Sequence, residues 1–355
     1  MKKYGSTGAA LLITGLLAGC GGGSSSPAPA PAPAPGTSQT ITFSSIVAGT
    51  TDPDARGLEV STGVKPDSKA RTLIATATSA LKVAFSSLTP TVCVVDDAVP
   101  NVKVVAPGMC RVAADQPGNA TFAAAPRVVR SLFGGTPTTL QPDDWKVVST
   151  TTGTPRFSPF DIGLKPQTPG TVGDSIVTKD NYQTLINGDP FTLSASGFIL
   201  PSNFVLLPVT VTQGTTVRCT ISLGGLLFNF DNGGTPAQAI VGDYDGEAPG
   251  DACTTKESGT FTMVKTGTTP PKIGKVDVLY PAACKTNPRV NFFVDDKFVL
   301  SDTVTAGAPS DGGTVLLVGP RKLRVETEDG TQILFDKTVT VTENGTITDT
   351  LACAT

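Results

Sequence analysis

The chain has 355 residues, a formal net charge of −3 and only 16% charged residues. Those values exclude a charge-rich disordered polymer and give no basic field for nucleic acid. It contains no histidine, which excludes His-based triads, His-ligated zinc or haem, and imidazole proton shuttles.

At the amino end, Lys2 and Lys3 precede an apolar run from Ala9 to Leu17, which is too short to span a bilayer core and reads as a secretory signal. It ends in Leu17-Ala18-Gly19-Cys20. This arrangement resembles the lipobox of bacterial lipoproteins. The resemblance implies a signal peptide over residues 1–19 and a diacylglyceryl group, with palmitate-type chains, on Cys20 as the first mature residue. Each buried methylene would add about 0.8 kcal/mol to such an anchor. Residues 20–38 form the lipidated cysteine and its linker: Gly21 to Ser26 reads as flexible coil, and Pro27 to Gly36 alternates Pro with Ala. The Pro-Ala run predicts a semi-rigid polyproline II rod on the order of 30 Å long. Linkers of this kind are typical of outer-membrane lipoproteins, and Gly21 in place of Asp is similar to their sorting signal. The expected location is the bacterial outer membrane, on its periplasmic or its surface-exposed face.

Beyond the linker no segment keeps a 3.6-residue apolar period, and strand patterns dominate. They fall at Thr40 to Phe43, Leu73 to Thr78, Leu81 to Phe85, Val92 to Val95, Val102 to Val105, Cys110 to Ala114, Phe204 to Thr212 and Thr216 to Leu223. Others fall at Phe261 to Val264, Val290 to Val294, Lys322 to Thr327, Ile333 to Thr338 and Val339 to Thr342. Many alternate apolar residues with Thr, Ser or Lys, which suits sheets with one wet face. Asn344-Gly345 and Asp329-Gly330 each predict a hairpin, because type I′ turns need positive φ at both central residues. Gly134-Gly135-Thr136-Pro137 and Gly267-Thr268-Thr269-Pro270-Pro271 read as joints. The fold class is therefore all-β: three tandem β-sandwich domains over 39–130, 140–266 and 272–355.

The first of these resembles an Ig-like repeat of bacterial surface proteins. The matching residues are Gln39 to Phe43, Leu73 to Ser79, Val83 to Cys93 and Gly108 to Pro126. That family is structural and adhesive. The third is similar to a repeat of bacterial lipoproteins with no assigned function, through Asn291 to Leu300, Val315 to Gly319, Lys322 to Val325 and Asp336 to Thr342. This resemblance implies a seven-stranded β-sandwich. The middle region, 140–266, is β-rich and resembles no family.

Without Cys20, six cysteines remain, an even number that in an exported chain reads as disulfides. Six allow 15 connectivities. The domain map selects Cys93–Cys110, Cys219–Cys253 and Cys284–Cys353, and the first pair is one the resembled repeat also carries. CxxC-type spacing is missing, which argues against metal ligation.

Several constellations bear on chemistry. Ser79-Ala80-Leu81-Lys82 and Lys265-Thr266-Gly267 mimic the S-x-x-K and K-T-G of penicillin-interacting enzymes. The first lies between strands, however, and no S-D-N accompanies it. Asp243 to Asp251, with Asp231, offers oxygens to calcium, but its glycine spacing does not match an EF-type loop. A solvated turn before Cys253 is the preferred reading. Asp295-Asp296 reads as a hairpin turn, and Asp52 and Asp54 as a loop around Pro53. No two carboxylates are placed across a cleft for glycoside hydrolysis, and Trp145, the one tryptophan, reads as core.

The sequence thus points to a non-catalytic, membrane-anchored envelope lipoprotein without cofactor or metal. Its expected role is surface spacer, adhesion or assembly module. Expected partners are the membrane, through the lipid anchor, and an envelope protein or polysaccharide. The alternative is a glycan-binding module centred on residues 140–266.

Overall fold

The computed structural model describes residues 36–48, 63–66, 69–149, 159–166, 174–179, 182–186, 188–247, 257–308 and 314–355. Cys20, Asp52, Asp54 and Cys253 lie outside the described residues. Strands and no helix form among the described residues, in keeping with the all-β expectation.

The first body comprises β1 (Ile41–Ala48), β2 (Arg71–Ala77), β3 (Ala84–Ser87), β4 (Cys93–Asp96), β5 (Asn101–Val104), β6 (Gly108–Asp115) and β7 (Val128–Gly134). Two sheets, ordered β1-β2-β5-β4 and β3-β6-β7, face each other. Their inward residues, among them Phe43, Leu73, Phe85, Val102, Val112 and Leu132, share one core. The disulfide Cys93–Cys110, with Cα atoms 5.5 Å apart, ties β4 to β6 and so one sheet to the other. The sequence places the end of this body near Arg130; β7 instead runs on to Gly134. Leu132 continues the apolar pattern into the core, and a Cβ on Gly134 would lie 2.6 Å from Val104 Cγ1.

The middle body comprises β8 (Asp143–Ser149), β9 (Phe160–Pro166), β10 (Asp174–Thr178), β11 (Gln183–Ile186), β12 (Asp189–Ile199), β13 (Phe204–Gln213), β14 (Thr216–Asn232), β15 (Thr235–Glu247) and β16 (Glu257–Lys265). Consecutive strands pair antiparallel except β10 and β11, and two further pairings close the circuit. β16 returns to β8, with Met263 opposite Val147, and β10 pairs with both β9 and β12. Among the described residues, eight strands thus form a ring, and β11 extends from the first half of β12. The β-rich expectation for 140–266 holds, but here one sheet closes on itself rather than two sheets facing each other. Closure removes most of the edge an open sheet would present and leaves the short β11 paired on one side only. Alternate residues point inward: Trp145 and Val147, Ile162 and Leu164, Leu193 and Ala195, Val205 to Val211, Cys219 to Leu223, Phe261 and Met263. They fill the ring, so it is a packed barrel and not a channel.

The C-terminal body comprises β17 (Ile273–Leu279), β18 (Arg289–Val294), β19 (Lys297–Thr303), β20 (Thr314–Leu317), β21 (Gly319–Thr327), β22 (Ile333–Val341) and β23 (Thr346–Thr350). Its sheets are β20-β17-β23 and β19-β18-β21-β22. Asp295 and Asp296 have φ of 50° and 61° and join β18 to β19 as a two-residue turn, with Val294 opposite Lys297. Asp329-Gly330 also lies between the paired strands β21 and β22, but in a wider turn than the type I′ expectation: of the two, Gly330 alone takes positive φ, at 74°, and Thr327 N–H donates to Gln332 O at 2.9 Å across the turn. The Asn344-Gly345 hairpin is overturned. Asn344 does take positive φ, at 54°, but β22 and β23 lie in different sheets and β23 runs parallel to β17. The cause is local. Asn344 N–H donates to Ile273 O at 2.8 Å and Lys275 N–H donates to Gly345 O at 2.8 Å, which draws the turn onto β17. Ile333 to Thr342, expected as two strands, is essentially one, since β22 runs unbroken to Val341.

Although the bodies follow one another in sequence, the first and the last touch. Arg130 Nη1 donates to Glu328 Oε2 at 2.7 Å, and Ser131 N–H donates to Glu328 Oε1 at 2.9 Å. Arg111 Nη2 donates to Glu326 Oε1 at 2.6 Å. Ser131 Oγ, on β7, and Ser301 Oγ, on β19, both donate to Asn291 Oδ1. Beside these bonds the Phe133 and Phe298 rings stack at 4.7 Å. Glu326 and Glu328 are each 4% exposed, so this latch is a desolvated, charge-assisted contact with an aromatic centre.

Candidate functional site

The barrel and the C-terminal body meet along the outer faces of β14 and β15. At one point the backbones of these two strands approach so closely that side chains are excluded. A Cβ on Gly242 would lie 1.9 Å from Gly224 O, and one on Gly225 would lie 2.4 Å from Val241 O. Strand glycines mark such approaches. Ala239, Val241, Val264, Ile273, Val315 and Leu317 form a separate small core between the two bodies. Leu226 and its neighbour Phe228 pack into the C-terminal core.

Two clefts open along this seam, and Leu226 and Val299 line both. The first, of about 330 Å³, has apolar walls from Phe204, Leu206, Leu223, Val241, Leu300 and Val315, a floor of Gly224, Gly225 and Gly242, and Asp243 and Asp245 among its lining residues. The second, of about 370 Å³, combines Phe228, Phe230 and Phe298 with Asn203, Asn229, Asp231, Asp295 and Arg321. Its Asp295 is engaged: Arg321 Nη1 donates to it at 3.0 Å.

Asp243 is the most perturbed carboxyl here. Its pKa is pushed up to about 6, chiefly by burial. Lys275 opposes the shift, while Asp245 and Asp277 add to it. The folded chain therefore keeps this proton up to pH about 6, whereas an unfolded aspartate releases it near 3.8. Between those values the folded state binds more protons, so stability falls as pH rises through the window and stays lower above it. The full shift corresponds to about 3 kcal/mol, which solvent screening at this partly open site reduces to about 1–2 kcal/mol. Asp243→Asn should therefore unfold at a higher temperature than the parent at pH 7.5 and show no such gain at pH 4. Thermal unfolding at the two pH values checks this, and an equal change at both would contradict the assignment.

The acidic stretch expected as a solvated turn is strand in its first part, since Asp243 to Glu247 belong to β15. Alternation along β15 puts Asp243 on the same outward face as Ala239 and Val241, which the C-terminal body covers. Asp231 opposes Pro236 in the β14–β15 pairing, and its Oδ1 accepts from Gly234 N–H at 2.7 Å. Position 236 is about 23 Å along the strand from 243, so Asp231 and Asp243 cannot share a cation. No group of three metal-ligating side chains occurs among the described residues.

Ser79 and Lys82 are not on a helix. Ala80 between them has φ 59°, Ser79 Oγ donates to Gln39 Oε1, and Lys82 Nζ sits 3.2 Å from Asp97 Oδ2. A hydrogen bond from Phe85 N–H, then the contact with Lys82, holds the Asp97 carboxyl below its usual range. Lys265 pairs with Asp143 in the barrel. Trp145 is 1% exposed, and its indole N–H donates to Gln141 O at 3.3 Å. Cys284 and Cys353 are bonded, with Cα atoms 5.3 Å apart. Cys219 is also disulfide-bonded, while its expected partner Cys253 is outside the described residues.

No family model matches the chain, and no curated protein matches it. Among solved structures, the Bacillus anthracis TIE protein is similar over 88% of this chain and 74% of that chain, at 9% identity and a TM-score of 0.19. A likeness at that score carries no argument about fold or function.

Proposed function

We propose that the chain is a non-catalytic, lipid-anchored protein of the bacterial outer membrane whose three β bodies act together as one adhesion or assembly head. The observation that carries this reading is the latch. It holds the first body, which follows the Pro-Ala linker, against the C-terminal body through Arg130–Glu328 and Phe133–Phe298. A latched head favours presenting a composite surface over adding length, so it supports the adhesion and assembly readings above the spacer.

Cys20→Ser should move the protein from the membrane fraction to the soluble fraction after export. Fractionation and immunoblotting of cells expressing either form check this, and retention of the variant in washed membranes would overturn the anchor. The glycan-binding reading draws on the second cleft, where Phe228 and Phe230 stand beside Asn203, Asn229 and Asp231. Saturable binding of the full chain on a glycan array would favour it over a protein partner.

A further inference from the structure

The first seam cleft is built differently from its neighbour. Its walls are apolar, supplied by β13 and β14 on the barrel side and by β19 and β20 on the C-terminal side. Its charge comes from a few groups. Asp243 and Asp245 line the cleft, and Lys275 and Asp277, on β17, act on the Asp243 carboxyl from the facing sheet. Lys275 Nζ lies 3.9 Å from Asp277 Oδ1. Three carboxylates thus face one ammonium, which leaves an excess of negative charge beside an apolar hollow. Apolar pockets with a few convergent polar groups are the usual form of small-molecule sites.

We propose that this cleft binds a small organic cation, a primary ammonium group on an apolar chain or ring, with the ammonium at Asp243 and Asp245 and the apolar part against Phe204, Leu226 and Val315. A volume of about 330 Å³ equals on the order of ten water volumes, which suits a ligand of similar heavy-atom count. A hard cation is a poorer fit, because calcium takes six to eight oxygens and the walls here are mostly carbon. An anion would meet the carboxylates directly. With its pKa pushed up to about 6 by burial, Asp243 is charged at pH 7.5 and loses that charge below pH about 6, which should weaken binding there. The charged groups facing that carboxyl are Lys275, Asp245 and Asp277.

Gly224 supplies a clean block. A Cβ there meets nothing nearer than Phe204 Cζ at 3.7 Å, an ordinary contact, so a side chain can start at Gly224 without a backbone clash, and Gly224→Leu is expected to occupy the cleft. The experiment is isothermal titration of the full chain in non-ionic detergent with 2-phenylethylammonium, 2-phenylethanol and 3-phenylpropionate. The expected result is saturable one-to-one binding of the ammonium at pH 7.5, at least tenfold tighter than the alcohol, with no binding of the carboxylate. Asp243→Asn should weaken the ammonium at least tenfold, Gly224→Leu should abolish it, and the parent should lose affinity at pH 5. Thermal unfolding of both variants confirms that they remain folded. No saturable binding of the ammonium, equal binding of ammonium and alcohol, or unchanged affinity in folded Asp243→Asn would overturn the proposal.

Discussion

Glu328→Ala is expected to release the first body from the C-terminal body and to destabilise the described head by about 3 kcal/mol. Glu328 is 4% exposed and accepts from Arg130 at 2.7 Å and from Ser131 N–H at 2.9 Å, and Arg289 Nε lies 3.4 Å from the same carboxylate. Truncation leaves two guanidinium groups without this counter-charge and a buried amide without an acceptor, and each loss adds to the others. The side chain of Arg130 is 30% exposed, and water reaching it places the effect at the low end of what buried pairs show. The stacked rings of Phe133 and Phe298 keep some contact, so Phe133→Ala added to Glu328→Ala should complete the separation. Small-angle scattering and thermal unfolding read the outcome. The parent should unfold with the two bodies coupled, and the double variant should show a larger radius of gyration and an earlier transition for the first body. An unchanged radius and a single unchanged midpoint would show that the latch carries no weight. Because the Glu328 carboxylate is buried and held by a backbone N–H as well as by arginine, moderate salt should not reproduce the full effect of the mutation.

Removing the Cys284–Cys353 bond should be more damaging still. The bond spans a sequence separation of 69, which is nearly the whole C-terminal body. A loop of that length corresponds to about 4 kcal/mol in the chain-entropy model. A domain of this size has a total stability on the order of 4–13 kcal/mol, so a large share depends on one link. The bond also holds the end of the chain in place. Next to Cys353, Ala354 N–H donates to the hydroxyl of buried Tyr280 at 3.1 Å, and Leu351 is 2% exposed. Replacing both cysteines with serine should lower the thermal midpoint of this body by about 10 °C or more. A shift under about 2 °C would mean that the reduced chain is already constrained by other contacts. The Cys93–Cys110 bond closes a shorter loop, with a separation of 17, and its removal should cost about 3 kcal/mol.

Much of the local structure is legible in the residues. Strand patterns such as Phe204 to Thr212 and Val290 to Val294 form strands, and Asp295-Asp296 forms the tight turn its residue types favour. Two disulfides follow from the domain map. What escapes is long-range. Ring closure depends on β16 finding β8 far back along the chain, and no local pattern records that pairing. Strands β9 and β12 do alternate, burying Phe160, Ile162 and Leu164 and Leu193, Ala195 and Ile199, a period-2 signal that the expected strands leave out. Asn344-Gly345 has the turn chemistry of a hairpin, yet β17 competes for the strand that follows and wins it. Nothing local in the sequence marks Glu326 and Glu328 as buried. They are buried because Arg111 and Arg130 of another body meet them. The candidate cleft is half visible: Asp243 and Asp245 stand out as acidic, but the burial of Asp243 comes from packing against a body that lies later in the chain.

In the reading proposed above, a lipid on Cys20 anchors this head to the envelope. The most direct test is the mass of the amino-terminal peptide from protein purified out of membranes of an expressing Gram-negative host. The chain should begin at Cys20 and carry the added mass of a diacylglyceryl group. A chain beginning elsewhere, or an unmodified Cys20, would contradict the anchor.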